Sequence, residues 1–221
     1  MTDAAAPGQS AVRQAFGCGD ALAGTIAALG RDSAHGAGQL LWPREQPDET
    51  VLLTLGRAVE LAYGRDGAVL VLHAIAAGEF FGSLVGSEGH AAAQVEALSD
   101  GRGTRFSSAA IVRLMESYPL VALAIARHLS ARLEALRQRM IETVMLSASG
   151  RIAAELLRLS RAAPDRVIRP VPVWSELAVI VQSTRETVSR TVSGLEKRGV
   201  LLRVTGGLAV AAPHRLEELV Y

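Results

Sequence analysis

The chain has 221 residues, a formal net charge of +1 and a single cysteine, Cys18. One cysteine excludes an intramolecular disulfide and any iron–sulfur or zinc site that needs several cysteines from one chain. Met1–Ser10 lacks a basic segment followed by an apolar core, and no apolar run approaches the ~18–20 residues of a membrane span, so we predict a cytoplasmic protein.

The charge is spread unevenly along the chain. Residues 151–221 carry 11 Lys and Arg against 7 Asp and Glu, whereas residues 1–150 carry 12 against 15. A basic C-terminal part beside a mildly acidic N-terminal part is typical of a DNA-binding module joined to a sensor or oligomerisation module.

The N-terminal part is predicted to contain short helices followed by many short strands. Residues 1–10 are expected to be disordered, and apolar spacing over Ala11–Leu29 predicts one or two helices with a break at Gly17–Gly19. Hairpin turns are predicted at Gly64–Gly67 and Asp100–Gly101. Short strands at this spacing indicate a β-sandwich or roll. The predicted strands are Leu40–Trp42, Val51–Leu55, Val59–Tyr63, Val69–Ile75 and Val95–Leu98.

A long helix is predicted from Pro119 to about Leu146, because this stretch contains no glycine and no further proline. Its apolar residues follow the 4-3-4 spacing of a coiled-coil seam. Such a seam favours a parallel homodimer, and a helix packed on its own β-roll is the alternative. Ser147–Gly150 is a predicted hinge, and a further helix begins at Arg151. The seam consists of Leu129, Leu133, Leu136 and Met140, with Ile125 and Val144 extending it.

The segment Glu176–Leu201 carries the pattern of a helix-turn-helix unit. A short apolar helix and a polar turn precede a second helix at roughly residues 184–197, in which Val188, Val192 and Leu195 form an apolar stripe. Arginine, glutamate and serine on the opposite face are residue types that read bases in a major groove. The candidate DNA contacts are Ser183, Thr184, Arg185, Glu186, Ser189 and Arg190.

Two further readings concern this C-terminal region. Ser183 and Glu186 also fit a capping box, in which the glutamate only caps its own helix. Two short apolar runs, Gly199–Val204 and Leu208–Val210, flank a Gly-Gly turn and predict a β-hairpin, which completes a winged helix-turn-helix. The fold class is therefore α+β: a β-roll (jelly roll) for effector sensing at 1–118, a dimerisation helix at 119–146 and a winged helix-turn-helix at 147–221.

Two motifs narrow this architecture to a family. Gly150-Arg151-Ile152-Ala153 follows the hinge, and Arg185-Glu186-Thr187-Val188-Ser189-Arg190 lies in the second helix, while Gly78–Gly82 looks like a glycine-rich turn entering an effector pocket. Over about residues 20–212 the chain resembles the cyclic-AMP receptor protein/FNR (CRP/FNR) family of bacterial transcription regulators. The resemblance implies a homodimeric regulator rather than an enzyme, with a palindromic operator and RNA polymerase as partners, in which effector binding repositions the long helices.

The pocket implied by this resemblance departs from that of members that bind cyclic AMP. Those members carry a Gly-Glu-Leu turn that binds the ribose and an Arg-Ser-Ala run that neutralises the phosphate; here the runs are Gly82-Ser83-Leu84 and Ala91-Ala92-Ala93. A buried phosphate without a cation would be an uncompensated charge, so cyclic AMP is not expected as effector. By resemblance the effector pocket comprises Gly82, Ser83, Leu84, His90, Ala91, Ala92, Leu136 and Arg137.

Other effectors and functions stay open on these residues. A haem-based sensor of NO or CO would need an axial ligand such as His73 or His90, with His35 and His128 equally available by composition. A constitutively active, effector-free dimer is a further alternative. A cupin-like β-barrel enzyme is disfavoured because no His-x-His pair occurs, and no metal site is predicted.

The second helix favours the FNR-like branch of the family. Its pattern Glu186-x-x-Ser189-Arg190 is found in that branch, whereas cyclic-AMP-type members place glycine at the serine position. By resemblance the half-site is TTGA(T/C), with its inverted partner about one helical turn away.

Calorimetry tests the exclusion of cyclic AMP. Titration with cyclic AMP to about 1 mM is expected to give no saturable heat, because Ser83 and Ala91–Ala93 provide neither the carboxylate nor the cation that the nucleotide needs. Micromolar binding would contradict this alignment of the pocket and would indicate a substitute cation such as Arg137.

Overall fold

A computed structural model describes residues 7–42, 48–64, 69–84, 93–163 and 165–220. The chain divides into two compact units, Met1–Leu136 and Arg137–Tyr221, and the boundary falls within the long helix Pro119–Met145. Within the described ranges, no helix is both long enough and apolar enough to cross a membrane.

The N-terminal unit begins with two short helices, α1 (Pro7–Phe16) and α2 (Asp20–Ala28). The predicted break between them is confirmed, since Gly17 adopts a positive φ of 59°. The predicted disorder of residues 1–10 is wrong from Pro7 onward, because α1 begins there and the fixed φ of proline suits the first turn of a helix.

The described part of this unit then forms eight strands: β1 (Arg31–His35), β2 (Leu40–Trp42), β3 (Glu49–Leu55), β4 (Arg57–Tyr63), β5 (Val69–Ala76), β6 (Phe80–Gly82), β7 (Ala93–Ala97) and β8 (Gly101–Ser107). They make two antiparallel four-stranded sheets, one with the order β1-β8-β3-β6 and one with the order β2-β7-β4-β5. The predicted β-roll is thereby confirmed.

Strand β3 shows how the two faces of its sheet are used. Val51 and Leu53 point between the two sheets, where they pack with Trp42 and Phe81. Leu52, on the opposite face, packs with the helices. The alternation follows from the two-residue period of a strand, and it separates the roll interior from a second, helix-covered core.

The sequence pattern does not predict β1, β6 or β8. Strands β1 and β8 are polar or glycine-rich and lack hydrophobic alternation, and β6 has only 3 residues. The hairpin predicted at Asp100–Gly101 is wrong, because β7 and β8 belong to different sheets. The hairpin predicted at Gly64–Gly67 would join β4 and β5, which do pair antiparallel, but Arg65, Asp66 and Gly67 lie outside the described residues.

Helices α3 (Ser108–Ser117) and α4 (Pro119–Met145) follow the sheets. The first part of α4 packs on its own unit through Val121 and Ile125, in a core shared with Phe80 and Phe106. Ile125 is only 1% exposed. It therefore cannot belong to the predicted dimer seam, because the helix uses this face to close its own unit.

The other predicted seam residues lie on the outward side of α4. Leu133 and Met140 are 62% and 67% exposed, Leu129 is also exposed, and Leu136 is half-buried. A stripe of large apolar side chains on an otherwise polar helix face is typical of a contact surface.

The C-terminal unit contains α5 (Ala148–Ala162), β9 (Val167–Ile168), α6 (Trp174–Ile180), α7 (Arg185–Lys197), β10 (Leu201–Val204), β11 (Gly207–Val210) and α8 (Pro213–Glu217). The predicted hinge at Ser147–Gly150 is wrong from Ala148 onward, because α5 begins there and not at Arg151. Ser147 Oγ caps the helix by accepting a hydrogen bond from the Gly150 N–H at 3.2 Å. Strands β10 and β11 form the predicted hairpin, and β9 adds a third strand. These elements confirm the winged helix-turn-helix.

Candidate nucleic-acid interface

The turn between α6 and α7 is short and its backbone is constrained. The Ser183 N–H donates to the Ala178 carbonyl at 2.9 Å. Gln182 adopts a φ of 50°, a left-handed conformation that costs a residue with a Cβ roughly 1–2 kcal/mol. Surrounding contacts must therefore stabilise the turn.

Two arginines bind the carbonyl groups that this turn leaves without helical partners. Arg151 Nε donates to the Val181 carbonyl at 2.8 Å, and its Nη2 donates to the Gln182 carbonyl at 3.0 Å. Arg139 Nη1 donates to the Ile180 carbonyl at 2.6 Å. Carbonyls at a helix C-terminus need such donors, and a cation there also interacts favourably with the helix dipole. The position at which α7 begins therefore depends on these arginines.

Arg139 also belongs to a charged cluster of the same unit. Glu142 and Glu155 are buried, and Arg158 donates to both, with Nη2 2.7 Å from Glu142 Oε1. Arg139 Nη2 lies 3.8 Å from Glu155 Oε2. Burial lowers the pKa of Arg139, and the Glu155 carboxylate opposes that shift. The two buried carboxylates are thus matched by arginines, as buried charges require.

Helix α7 begins with a threonine cap. Thr184 Oγ1 accepts a hydrogen bond from the Thr187 N–H at 3.2 Å, which satisfies one of the open N–H groups of the first turn. The alternative prediction, a capping box of Ser183 and Glu186, is wrong, because the cap lies one residue later. The Glu186 side chain is consequently left on the exposed surface.

One face of α7 is buried and the other is exposed. Val188, Val192 and Leu195 lie in the core of the C-terminal unit, as the stripe predicts. The structure brings the predicted DNA contacts together at the start of this helix. Thr184, Arg185, Glu186, Ser189 and Arg190 are exposed, and Ser183 is half-buried.

Glu186 is held in its charged form. Its own backbone N–H and the Thr184 side chain lower the pKa of the carboxyl group, and Arg185 and Arg190 add to the shift. A carboxylate can only accept hydrogen bonds. It therefore suits a donor such as the cytosine N4 amino group.

The wing is joined to α7 by an ion pair that the sequence does not predict. Val204 and Gly207 pair across a two-residue turn in which Gly206 takes a φ of 69°, a conformation open to glycine. Arg203 Nε lies 2.9 Å from Glu196 Oε1. No fixed spacing in the sequence predicts a contact between a strand residue and a helix residue, so only the tertiary fold shows this ion pair. The same holds for the hydrogen bond from Arg139 to the Ile180 carbonyl.

The predicted effector turn is packed rather than open. A Cβ at Gly82 would lie 2.6 Å from the Glu49 carbonyl oxygen. Ser83 is buried, and its carbonyl accepts hydrogen bonds from the hydroxyls of Thr50 at 2.7 Å and Ser108 at 2.5 Å. The backbone of this turn is therefore committed to the fold.

The remaining predicted pocket residues are dispersed in different environments. Leu84 is buried in the helix-covered core. On α4, Leu136 is half-buried and Arg137 is exposed. His90, Ala91 and Ala92 lie outside the described residues.

The histidines considered as haem ligands have other neighbours. His73 Nε2 lies 3.6 Å from Glu79 Oε1, and His128 Nε2 lies 3.2 Å from the Phe80 carbonyl oxygen. Within the described part of the chain, no group of three or more His, Cys, Asp or Glu side chains could hold a metal ion.

Comparison with known proteins agrees with this geometry. Residues 150–219 match the family model of the Crp-like helix-turn-helix domain. The C-terminal unit therefore contains a Crp-like helix-turn-helix domain. This confirms, for residues 150–219, the resemblance found in the sequence. No curated protein sequence matches the chain.

Solved structures share the fold of this chain over most of its length. A CooA mutant from Carboxydothermus hydrogenoformans is 19% identical, with a TM-score of 0.73 over 89% of this chain and 90% of that one. FixK2 from Bradyrhizobium japonicum is 18% identical, with a TM-score of 0.74 over 87% and 98%. The c-di-GMP-responsive global regulator CLP from Xanthomonas campestris is 22% identical, with a TM-score of 0.67 over 85% and 98%.

Replacement of Arg151 tests its hold on the turn. Arg151→Ala is expected to lower the free energy of unfolding by about 1–3 kcal/mol, because it leaves part-buried carbonyls without donors. Urea unfolding measures the loss, and hydrogen exchange should accelerate around Ser183. The matched control is Arg215→Ala, which removes an exposed ion pair and should change stability by less than about 0.5 kcal/mol. Equal effects of the two substitutions would contradict the role given to Arg151.

Proposed function

We propose that the protein is a homodimeric transcription regulator that binds a palindromic operator through α7. The observation that carries this proposal is the division of α7 into two faces: an apolar stripe is buried, and Arg185, Glu186, Ser189 and Arg190 are exposed together. An exposed cluster of base-reading residue types at the start of a recognition helix suits entry into a major groove.

The proposed half-site is TTGA(T/C), as in the FNR-like branch. Arg190 reads the guanine through its two parallel N–H donors, and Glu186 reads the cytosine paired with it or nearby. Ser189 contacts the outer thymine, and Arg185 contacts a base or a phosphate. The exposure of Glu186 at the start of α7 supports its part, because an exposed carboxylate is ionised at neutral pH and can accept a hydrogen bond.

The proposed dimer forms along α4. Leu129, Leu133 and Met140 are exposed at the predicted spacing, Leu136 is half-buried, and Val144 is exposed farther along the helix. Ile125 is excluded because it is buried. Two-fold symmetry in the protein then matches two-fold symmetry in the operator.

Regulation in this proposal involves RNA polymerase as partner, in the cytoplasm, and an effector other than cyclic AMP. The exclusion of cyclic AMP is supported by Ser83, which is buried and whose carbonyl already accepts hydrogen bonds from the Thr50 and Ser108 hydroxyls. A haem-based sensor gains no support from His73 or His128, whose ring nitrogens lie near Glu79 and the Phe80 carbonyl. A constitutive, effector-free dimer is the alternative within the same function.

A charge placed in the seam tests the dimer. Leu133→Arg is expected to give mainly monomer, with weakened operator binding, because two guanidinium groups would face each other across an apolar contact. Light scattering measures the mass. The matched control is Arg127→Ala, an exposed position on the same helix, which should leave the dimer intact. A dimer that persists in Leu133→Arg would place the interface elsewhere.

Selection from random DNA tests the operator and its readers. The wild type should return inverted TTGA-type half-sites, and Ser189→Gly should shift the preference towards TGTGA-type half-sites. Glu186→Ala or Arg190→Ala should each remove about 1–3 kcal/mol of discrimination per half-site.

The control for these variants is the replacement of an arginine that contacts only the DNA backbone. Loss of an arginine that binds only phosphate weakens all sequences alike and flattens the salt dependence. If wild type and Ser189→Gly selected the same motif, Ser189 would not read a base, and the assignment to the FNR-like branch would be wrong.

A further inference from the structure

The interior of the β-roll contains a cavity of about 220 Å³. Leu41, Val51, Leu53 and Phe81 give it an apolar wall, and all four are buried. Gly103 faces it from β8, where a Cβ would come within 3.1 Å of Val51 Cγ1. The space between the sheets is thus left open where a side chain would otherwise fill it.

Polar side chains complete the lining, in a position where a sandwich normally buries apolar ones. They are Ser33, His35 and Arg105, which are half-buried, and Gln39, which is exposed. Arg105 Nη1 donates to Glu49 Oε2 at 3.2 Å, and Nη2 donates to the Leu41 carbonyl at 2.8 Å. A guanidinium carries five N–H donors, so these two bonds orient Arg105 and leave donors for a further acceptor.

His35 supplies the second unusual group of the lining. Its Nε2 is buried and has no hydrogen-bond partner among the described residues. Buried polar atoms in proteins are nearly always hydrogen-bonded, so this nitrogen is an unsatisfied polar group beside the cavity, although it exposes almost no surface. Burial lowers the pKa of His35, and the charge of Arg105 adds to the shift against the opposing effect of Asp100. The ring is therefore neutral at neutral pH and can donate one N–H.

We propose that this cavity binds a compact monocarboxylate with an apolar body. The carboxylate accepts hydrogen bonds from Arg105, and the body packs on the apolar wall. The planar fork of an arginine matches a carboxylate. Arg31 and Arg105 both lie near the Glu49 carboxylate, so one net positive charge remains. It matches a monocarboxylate, whereas a dianion such as a phosphate ester would be left undercompensated.

The volume limits the size of the ligand. At about 30 Å³ for each water-sized group, the cavity of about 220 Å³ has room for roughly seven such groups. A nucleotide is too large. The site is also built from residues other than the Gly82–Leu84 turn, whose backbone is committed to the fold.

As the place of an effector, this cavity depends on the regulatory function proposed above, but binding to the roll does not require DNA. Calorimetry on the full chain without DNA therefore tests it, with benzoate and 3-methylbutanoate as probes. At least one acid is expected to bind 1:1 with a Kd below about 1 mM. The neutral counterparts benzamide and 3-methylbutanol should bind at least tenfold more weakly, because they lose the charge-assisted hydrogen bonds.

Three variants locate the site. Arg105→Gln should weaken the acid at least tenfold, and Ser33→Leu should do the same by filling the cavity while leaving Arg105 in place. Arg102→Gln, an exposed arginine on the same strand, is the matched control and should bind as the wild type does. If Arg105→Gln does not fold by circular dichroism, Ser33→Leu decides.

Two results would overturn the proposal: no saturable heat for either acid at about 10 mM, or unchanged affinity in every folded cavity variant. A gel shift with palindromic DNA on the same preparation reports the proposed function separately. Failure there would leave the calorimetric result, and with it the ligand site, unaffected.

Discussion

Three consecutive backbone carbonyls, those of Ile180, Val181 and Gln182, need hydrogen-bond donors at the end of α6, and two arginines from other helices supply them. Without these donors each part-buried carbonyl would cost on the order of 1 kcal/mol or more, and only backbone hydrogen bonds such as Ser183 N–H to the Ala178 carbonyl would hold the left-handed conformation of Gln182. The turn sets the point at which α7 starts. It therefore decides which residues of α7 enter the core and which face outward.

Each unit has an arginine beside buried groups, and the two arginines differ in how fully they are paired. The fully paired one has a structural role, and the partly paired one lies beside the proposed ligand site. In the C-terminal unit Arg158 is paired with Glu142 and Glu155, so neither buried carboxylate is left without a cation. In the roll interior Arg105 has one carboxylate partner beside a cavity, and His35 Nε2 has none among the described residues. An incomplete polar group next to open space is what a ligand completes.

The fold could be predicted wherever side-chain periodicity is strong. Val188, Val192 and Leu195 gave α7 and its buried face, and the long run after Pro119 gave α4. Polar strands such as β1 and β8 escaped prediction because their core faces carry Ser33, Gly103 and Arg105 instead of apolar residues. The prediction that Ile125 belongs to the dimer seam is wrong, because heptad spacing does not show whether a helix face is covered by a partner or by its own unit. The outward residues of α7 were predictable from their spacing in the sequence. Arg139 and Arg203 were not, because each contacts an element whose position only the tertiary fold determines.

The central claim is that α7 reads the major groove of two symmetric half-sites. Methylation interference on the selected operator tests it most directly, since dimethyl sulfate modifies guanine N7 in the major groove and adenine N3 in the minor groove. We predict that binding is blocked by guanine N7 methylation at one position in each half-site, with the two positions related by two-fold symmetry about one helical turn apart. Interference confined to adenine N3, or to a single half-site, would contradict the account.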